Sequence, residues 1–515
     1  MTMNGADALI QTLVANGVTA CFANPGTSEM QFVAALDRQP TMRPVLCLFE
    51  GVATGAADGY GRMSEAPACT LLHLGPGYGN GLANLHNARR AYTPIVNVVG
   101  DHATYHRQYD APLNSDIPTI VAPNSVWVKS ADTADSVAEI TAAAISASYG
   151  RPGGPVSLIL PADAAWTDTK NGVVKAAGPI ILEPDASSVD AVAKAVKAAK
   201  KPVILIGGRA CRADALAQAG RLQAAGIRVL ADTFVARQRR GAGVFVPARM
   251  QYFGEAALAD LEGVDLMIYA GTTMPVAFFA YPDRPSVLVP EGCATLTLSD
   301  RKTDSAAAMR NLADALGAPA QGPVQSPKVA DSAPIGGLTP QSVGISIARH
   351  LPEGAIICDD AVTSGGGVAV PCMTAAPHEV LALTGGAIGI ALPLAIGAAV
   401  AKPDVKVIAL SGDGAGMYTV QSLWTMAREN LDITVVVFAN HSYRILNIEM
   451  GRTGSGNPGP SASKLLDLGD PKIDWVSVAK GLGVSAVRCE TAEAFEVAFA
   501  RAMAEPGPKF IEAAI

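Results

Sequence analysis

Short apolar runs rich in Val and Ile recur along the whole chain, and segments with helical periodicity lie between them. Runs such as VILIG at 203–207 and ITVVVFA at 433–439 are apolar throughout, without the alternation expected of a half-exposed strand. Strands of this kind are buried on both faces, as in parallel sheets that are covered by helices. The sequence therefore predicts an α/β protein built on parallel sheets.

The predicted strands fall into three groups, of which the first and third are alike in length. They lie at 18–23, 45–49, 69–73, 94–99 and 155–160; at 203–207, 227–231, 266–270 and 287–289; and at 355–358, 406–410, 433–439 and 509–513. Helical patterns such as 28–36 and 51–63 separate them. Each group is long enough to form one domain, so we predict three consecutive α/β domains.

Two irregular segments divide the groups. Residues 168–184 lose any regular period, and residues 318–340 carry five prolines and little that could pack in a core. We therefore predict an N-terminal domain at 1–167, a central domain at 185–317, a Pro-rich linker at 318–340 and a C-terminal domain at 341–515.

Composition excludes several classes of protein. Of the 515 residues, 49% are apolar and 17% charged, which excludes a disordered chain, and a net charge of −7 gives no overall attraction to nucleic acid. Eight cysteines without a CxxC pair argue against a disulfide framework or a zinc knuckle. The first residues suggest an amphipathic surface helix rather than a secretory signal, and no apolar run is long enough to span a bilayer. We expect a cytoplasmic enzyme without nucleic acid or membrane partners.

The most specific motif lies in the third group. Strand KVIAL runs into Ser411-Gly412-Asp413-Gly414, and Asn440 follows the next strand, 27 residues after Asp413. Because ligands of open parallel sheets bind at the carboxyl ends of the strands, both side chains should meet one ligand. Carboxylate, amide and carbonyl oxygens suit Mg²⁺, and glycines before a helix N-terminus suit a diphosphate. The alternative is that Gly-Asp-Gly forms an ordinary tight turn.

A second motif, LCLFEGVATGAADGY at 46–60, places Glu50 at a strand end before a Gly/Ala-rich helix. With both motifs, the chain resembles the thiamine diphosphate enzymes of the pyruvate oxidase, acetolactate synthase and benzoylformate decarboxylase group. The resemblance implies their fold, in which a pyrimidine-binding and a diphosphate-binding domain flank a central domain. It covers essentially the whole chain and departs at Ala439, where the family has the first Asn of an Asn-Asn pair.

The resemblance also implies roles for individual residues. Glu50 would hydrogen-bond N1′ of the aminopyrimidine and promote loss of the C2 proton of the cofactor, and Asp413, Asn440 and the Ser442 carbonyl would hold the metal. Ile388 would lie between the two cofactor rings. The full set of residues expected at the cofactor is Asn24, Pro25, Gly26, Glu50, Thr363, Ser364, Gly386, Ile388, Gly412, Asp413, Gly414, Ala415, Asn440, Ser442 and Tyr443.

Structural alternatives remain open for several of these residues. Glu50 could be a helix N-terminal acid stabilised by the helix dipole, and Ile388 could be an ordinary core residue. Thr363 or Ser364 could cap the following segment.

The residues expected on the substrate side are Thr27, His73 and Asn80. A His in the position of His73 acts in protonation steps in benzoylformate decarboxylase-like members, whereas Gly75-Pro76-Gly77 is typical of acetolactate synthases. We therefore expect a thiamine diphosphate- and Mg²⁺-dependent 2-oxo acid decarboxylase or carboligase of the benzoylformate decarboxylase type. The alternative is an acetolactate synthase-like carboligase; an acyl-CoA lyase or a non-catalytic paralogue fits less well.

Two further expectations follow from the resemblance. Acetolactate synthases hold FAD in the central domain, but here Gly207-Gly208-Arg209 is not followed by a GxGxxG pattern, so FAD is possible and not favoured. The family builds each active site from two chains. We therefore expect a homodimer or homotetramer with active sites at the subunit interface.

Overall fold

The computed structural model describes residues 3–150 and 153–515. Its main strands form three sheets of six, five and seven strands, and helices lie between most successive strands. We call the segments that carry these sheets the first, middle and third units. The predicted class, three consecutive α/β units on parallel sheets, is confirmed.

The first unit has a wholly parallel sheet in the order β2-β1-β3-β4-β6-β5. Its strands are β1 Ala20–Asn24, β2 Arg43–Leu46, β3 Ala68–Leu72, β4 Ile95–Asp101, β5 Val128–Ser130 and β6 Pro155–Pro161. Its helices are α1 Gly5–Ala15, α2 Met30–Leu36, α3 Glu50–Ser64, α4 Leu74–Ala91, α5 Ile117–Val121, α6 Val137–Ser148 and α7 Ala162–Trp166. The central strands β3 and β4 are buried along their whole length, as the apolar runs predicted.

The middle unit has a parallel sheet in the order β10-β8-β7-β11-β12. The strands of this segment are β7 Pro202–Ile206, β8 Arg228–Ala231, β9 Gln238–Arg240, β10 Ala248–Arg249, β11 Leu266–Ala270 and β12 Ala294–Ser299. Its helices are α8 Ala186–Ala198, α9 Ala213–Ala224, α10 Gly254–Asp260 and α11 Ser305–Ala315. Strand β9 leaves this sheet and joins the sheet of the third unit.

The third unit carries the order β17-β18-β16-β15-β13-β14-β9, parallel except that β9 pairs antiparallel to β14. Its own strands are β13 Ile356–Asp360, β14 His378–Ala382, β15 Val407–Gly412, β16 Ile433–Ala439, β17 Ser485–Cys489 and β18 Lys509–Ala514. Its helices are α12 Pro340–His350, α13 Gly365–Cys372, α14 Ala391–Ala401, α15 Asp413–Met417, α16 Ser422–Arg428, α17 Arg444–Arg452, α18 Pro460–Leu466, α19 Trp475–Gly481 and α20 Ala492–Ala504.

One predicted strand is wrong. Residues 287–289 make only an isolated bridge, between Val276 and Val287, and the strand of this region is β12. Pro285 and Pro290 flank the Val-rich run and restrict its pairing. Because β12 is an edge strand with its first residues exposed, it alternates apolar and polar residues instead of forming an apolar run.

The first and third units share one hydrophobic core, which includes Phe22 and Trp475. Helices α3 and α14 meet at glycines that leave no room for a side chain. A Cβ on Gly59 would lie 2.0 Å from the Leu394 carbonyl oxygen, and one on Gly397 would lie 1.8 Å from that of Ala56. These close approaches fix the helix that begins at Glu50 against the third unit.

The buried guanidinium of Arg62, near the end of α3, contacts all three units. It pairs with Asp58 in the same helix and donates to the carbonyl oxygens of Ala236 in the middle unit and Ala382 in the third. It also donates to the Thr384 hydroxyl. Arg62 therefore helps to hold the three units in one arrangement.

The boundaries predicted for the domains and the linker stay predictions, and the predicted N-terminal domain includes residues 1–2 and 151–152, which lie outside the described residues. Within the described ranges, no helix combines the length and the apolar character needed to cross a membrane.

Candidate active site

The Gly-Asp-Gly motif lies where strand β15 passes into helix α15. Asp413 is the first residue of this helix and is buried, and its carboxylate accepts hydrogen bonds from the backbone N–H groups of Gly414, at 2.8 Å, and His441, at 2.6 Å. Burial raises the pKa of the Asp413 carboxyl, while these N–H donors and the His441 ring oppose the shift. The carboxylate is therefore held in place by backbone donors from two neighbouring strand ends.

The oxygen atoms in and around Asp413 are of the kind that bind a hard cation beside a diphosphate. Asn440 and Ser442 follow strand β16, which pairs with β15, so both strands present oxygen atoms at the same sheet edge. A Cβ on Gly412 would meet nothing within 4 Å, so there is open space at the strand end. Carboxylate, amide and carbonyl oxygens are ligands that Mg²⁺ prefers. No group of three His, Cys, Asp or Glu side chains suited to a metal occurs in the described ranges, but the predicted ligand set does not require one.

Three non-glycine residues beside predicted site residues have left-handed backbone conformations. Leu74 follows His73 with φ 51°, Val362 precedes Thr363 with φ 48°, and His441 separates Asn440 from Ser442 with φ 54°. Such conformations are costly for residues with a Cβ, and they cluster at functional sites. This observation supports the predicted positions independently of their chemistry.

Glu50 is the first residue of helix α3 and is buried. Asn80 of helix α4 donates to its Oε2 at 2.9 Å. Gly77, on the same helix, lies between the predicted catalytic side chains, since a Cβ there would be 3.0 Å from Glu50 Oε1 and 3.3 Å from the Cβ of His73. The structure thus brings Glu50, His73 and Asn80 together.

His73 precedes helix α4 and pairs with Glu29, a residue to which the sequence alone led us to assign no role. The His73 Nδ1 atom lies 2.8 Å from Glu29 Oε2, which also accepts from the Gly26 N–H at 2.8 Å. Burial raises the pKa of Glu29, while the Gly26 N–H and His73 lower it. A Cβ on Gly26 would lie 2.2 Å from His73 Nδ1, so the ring fits here because residue 26 is glycine.

The loop 384–389, which contains Gly386 and Ile388, is held from both ends. Near its start, the buried side chain of Asn87 from helix α4 bonds Gly385 and Ala387. At its end, the buried Asp360 carboxylate accepts from the Gly389 N–H at 2.9 Å. Gly386 adopts φ +79°, a conformation that favours glycine.

The other predicted residues lie at strand ends or helix starts of the same two units. Asn24 ends β1, Thr27 is exposed in a short 3₁₀ turn, and Thr363 is exposed after β13. Ser364 is buried at the N-cap position of α13, but its side chain makes no capping hydrogen bond, which speaks against the capping alternative. The remaining predicted residues are Pro25, which is half-buried; Ala415, which is buried in α15; Ile388, which is half-buried against the shared core; and Tyr443, whose ring contacts Gly414.

The predicted residues therefore form two clusters, one around Glu50 in the first unit and one around Asp413 in the third. Glu29 and Asn87 were missed as functional candidates. The spacing of Asn80, Asn84 and Asn87 on helix α4 could have revealed Asn87, because three asparagines at i, i+4 and i+7 lie on one helix face.

A cleft of about 660 Å³ separates the first and middle units, away from both clusters. Its lining includes basic side chains at the carboxyl ends of the middle strands, among them Arg209, Arg212 and Arg301. The Arg301 guanidinium lies 3.9 Å over the Tyr92 ring. The expectation that FAD is possible and not favoured stays a prediction.

Segments of the first and third units each match a known protein family. Residues 3–119 match the family "Thiamine pyrophosphate enzyme, N-terminal TPP binding domain", and residues 368–513 match "Thiamine pyrophosphate enzyme, C-terminal TPP binding domain". The chain belongs to the thiamine pyrophosphate-dependent enzymes. The resemblance seen in the sequence is therefore confirmed, as is the expectation of an enzyme of this class.

Curated relatives come from both branches that the sequence suggested. The chain is 50% identical, over 100% of its length and 99% of the relative, to "Putative acetolactate synthase large subunit IlvX" of Mycobacterium tuberculosis. It is 27% identical to benzoylformate decarboxylase of Pseudomonas aeruginosa over 96% of each chain. A solved structure, the thiamine diphosphate-dependent 4-hydroxybenzoylformate decarboxylase of Rhodococcus jostii, shares the fold with a TM-score of 0.86 at 23% identity, covering 99% of both chains.

Proposed function

We propose that the protein is a thiamine diphosphate- and Mg²⁺-dependent enzyme that decarboxylates a 2-oxo acid and either protonates the product or joins it to a second carbonyl compound. The observation that carries this proposal is the cluster in which Glu50 lies at the start of α3, hydrogen-bonded to Asn80 and beside His73. Membership of the family supports the choice of cofactor, and the side chains of this cluster are the acid–base groups of the proposed reaction.

The bound cofactor would supply the nucleophile and the electron sink that loss of carbon dioxide requires. Asp413, Asn440 and the Ser442 carbonyl would hold Mg²⁺ against the diphosphate, and Glu50 would hold a proton at N1′ of the pyrimidine. The pairing of His73 Nδ1 with Glu29 leaves Nε2 as the ring nitrogen that can move a proton on the substrate side. Thr27 and Asn80 would contact the substrate.

Two outcomes of the reaction remain in competition. His73, held by Glu29, favours protonation and hence a decarboxylase of the benzoylformate decarboxylase type. Gly75-Pro76-Gly77 and the relative at 50% identity, named as an acetolactate synthase large subunit, favour carboligation at least as well. The deciding experiment is product analysis with a panel of 2-oxo acids, with and without an acceptor aldehyde or 2-oxo acid.

We also propose a homodimer or homotetramer with each active site at a subunit interface. The third unit exposes apolar side chains around the Asp413 cluster, such as Tyr418 and Leu446, which are 56% and 46% exposed in the single chain. A second copy of the chain could cover them and bring its Glu50 cluster to the cofactor. Sedimentation at working concentration tests this, and an active monomer would contradict it.

The metal role is tested with Asp413→Ala, which removes the proposed carboxylate ligand. Thiamine diphosphate binding, measured by calorimetry in Mg²⁺, should weaken by at least about tenfold, since a charge-assisted contact contributes roughly 1.5–3 kcal/mol. Asp404→Ala, at an exposed loop position, is the control and should bind as the wild type does. Equal binding by both variants would place the cofactor elsewhere.

The division of roles between Glu50 and His73 is tested by hydrogen–deuterium exchange at C2 of the bound cofactor. Glu50→Gln keeps the shape of the side chain but cannot supply the acid, so exchange should slow by at least about 10²-fold. His73→Ala should leave this exchange intact and change the ratio of aldehyde to ligated product. Normal exchange in Glu50→Gln, or slow exchange in His73→Ala, would overturn the assignment.

A further inference from the structure

Helix α4 carries three asparagines on one face, and two of them connect the first unit to the third. The Asn84 Nδ2 donates to the carbonyl oxygen of Gly51, the residue after Glu50, at 2.7 Å. The Asn84 Oδ1 accepts from Asn87 Nδ2 at 3.1 Å. Both side chains are buried. We call Asn84 and Asn87 the asparagine relay.

Asn87 continues the relay into loop 384–389. Its Oδ1 accepts from the backbone N–H groups of Gly385 at 3.1 Å and Ala387 at 3.3 Å, and its Nδ2 donates to the Ala387 carbonyl at 2.8 Å. With the bond to Asn84, the primary amide uses two donors and two acceptor sites, which is its full capacity. The Thr384 hydroxyl also donates to the main-chain carbonyl oxygen of Asn87 at 2.8 Å.

This arrangement requires an asparagine at position 87. An aspartate could accept from the two loop N–H groups but could not donate to Ala387 or Asn84. An alanine would leave the buried Asn84 amide oxygen and the half-buried groups of Gly385 and Ala387 without this partner. A longer glutamine would not fit, because Gly385 already packs so closely that a Cβ there would lie 2.7 Å from Asn87 Oδ1.

We propose that Asn87, supported by Asn84, is a positioning residue that fixes loop 384–389 relative to the peptide at Glu50–Gly51. The inference rests on the proposed function in one respect, that this loop contacts the cofactor through Gly386 and Ile388. Helix α4 then contacts both Glu50 and the loop, since it carries Asn80 on Glu50 near its start and Asn87 on the loop near its end.

The test compares Asn87→Ala with Asn97→Ala, a matched control. Asn97 is equally buried in the first unit, where its amide accepts from the Thr70 hydroxyl at 2.8 Å and donates to the Val156 carbonyl at 3.0 Å, away from the loop. Both variants should melt earlier than the wild type. Only Asn87→Ala should speed amide exchange in peptides covering 384–389, measured without cofactor, by about tenfold or more, since at least two hydrogen bonds to the loop are lost.

A second readout is thiamine diphosphate affinity by calorimetry, which should fall by about tenfold or more in Asn87→Ala and less than about twofold in Asn97→Ala. Thr384→Val removes the hydroxyl bond to the Asn87 main-chain carbonyl and the bond that the hydroxyl accepts from Arg62. It should give a milder change in the same direction, and it serves if Asn87→Ala does not fold. Unchanged loop exchange in both loop variants, or an equal effect of Asn97→Ala, would overturn the inference. Failure of the wild type to bind the cofactor would overturn the proposed function instead, and the exchange measurement would still decide the positioning role.

Discussion

Replacing Arg62 by Met should destabilise the protein far more than replacing an exposed arginine. Met keeps most of the aliphatic volume, so the change mainly removes the guanidinium. That group makes a two-pronged pair with Asp58, at 2.8 and 2.5 Å, and donates to the carbonyls of Ala382 at 2.7 Å and Ala236 at 3.1 Å. The two side chains of the pair are 2% and 0% exposed, so water does not compensate the loss.

The expected cost follows from the charge that is left behind. Removing one partner of a buried ion pair costs about 3–5 kcal/mol, and the half-buried carbonyls of Ala236 and Ala382 lose a donor as well, so we expect about 4 kcal/mol or more. The measurement is urea unfolding followed by circular dichroism and tryptophan fluorescence. Arg43→Met is the control, because its pair with Glu429 is exposed and should contribute less than about 1 kcal/mol.

A double variant separates the charge effect from packing. In Asp58→Asn/Arg62→Met no unpaired carboxylate remains, so stability should recover in part relative to Arg62→Met alone. A loss below about 1 kcal/mol in Arg62→Met, or one no larger than that of Arg43→Met, would refute the reasoning.

Three further predictions concern packing, pH and thiols. Gly397→Ala should lower the melting temperature, because the new Cβ would lie 1.8 Å from the Ala56 carbonyl oxygen. The control is Gly451→Ala in helix α17, where a new Cβ would have no atom within 4 Å, and it should be neutral or stabilising. Equal effects of the two variants would contradict the close-packing argument. Burial lowers the pKa of His378 from 6.5 to about 4, so the stability that the neutral ring contributes is full above pH 6.5 and is lost as the pH falls towards 4. His378→Gln should therefore reduce the slope of unfolding free energy against pH in this range by up to about 1.4 kcal/mol per pH unit. An unchanged slope would show that this histidine is not the titrating group. Cys293 is half-buried and the other seven cysteines are buried. A thiol reagent should therefore label one cysteine quickly in the native protein and none quickly in Cys293→Ser. A fast labelling phase that persists in this variant would contradict the burial pattern.

The sequence predicted most of the central strands, because a strand buried on both faces is apolar along its length. It missed β14, which lies between β13 and β9 and is only partly buried. The predicted run 433–439 coincides with strand β16, and the run 155–160 lies within β6. Edge strands β5 and β17 were missed because they are short or largely exposed, and β12 was displaced to 287–289. The antiparallel pairing of β9 with the third sheet joins residues more than 130 positions apart, at Gln238 and Val380, which no local pattern reveals.

The motifs around Glu50 and Asp413 were predictable for a similar reason. In each motif a strand ends and a helix begins within a few residues, and residues that are neighbours in the sequence determine such a strand end and helix start. The metal and cofactor roles assigned to them came from resemblance, and they stay proposals until the binding measurements are made.

By itself, the sequence determined the α/β class, the three units, the family and the positions of the two main motifs, because burial periodicity and turn chemistry act over a few residues. Only the tertiary structure decided which side chains hold those motifs in place. Glu29 meets His73 across 44 residues, and Asn87 meets the Gly385 amide across 298. Such pairs form because buried polar groups must find partners wherever the packing of separate units brings donors and acceptors within reach, and chain order does not encode that geometry.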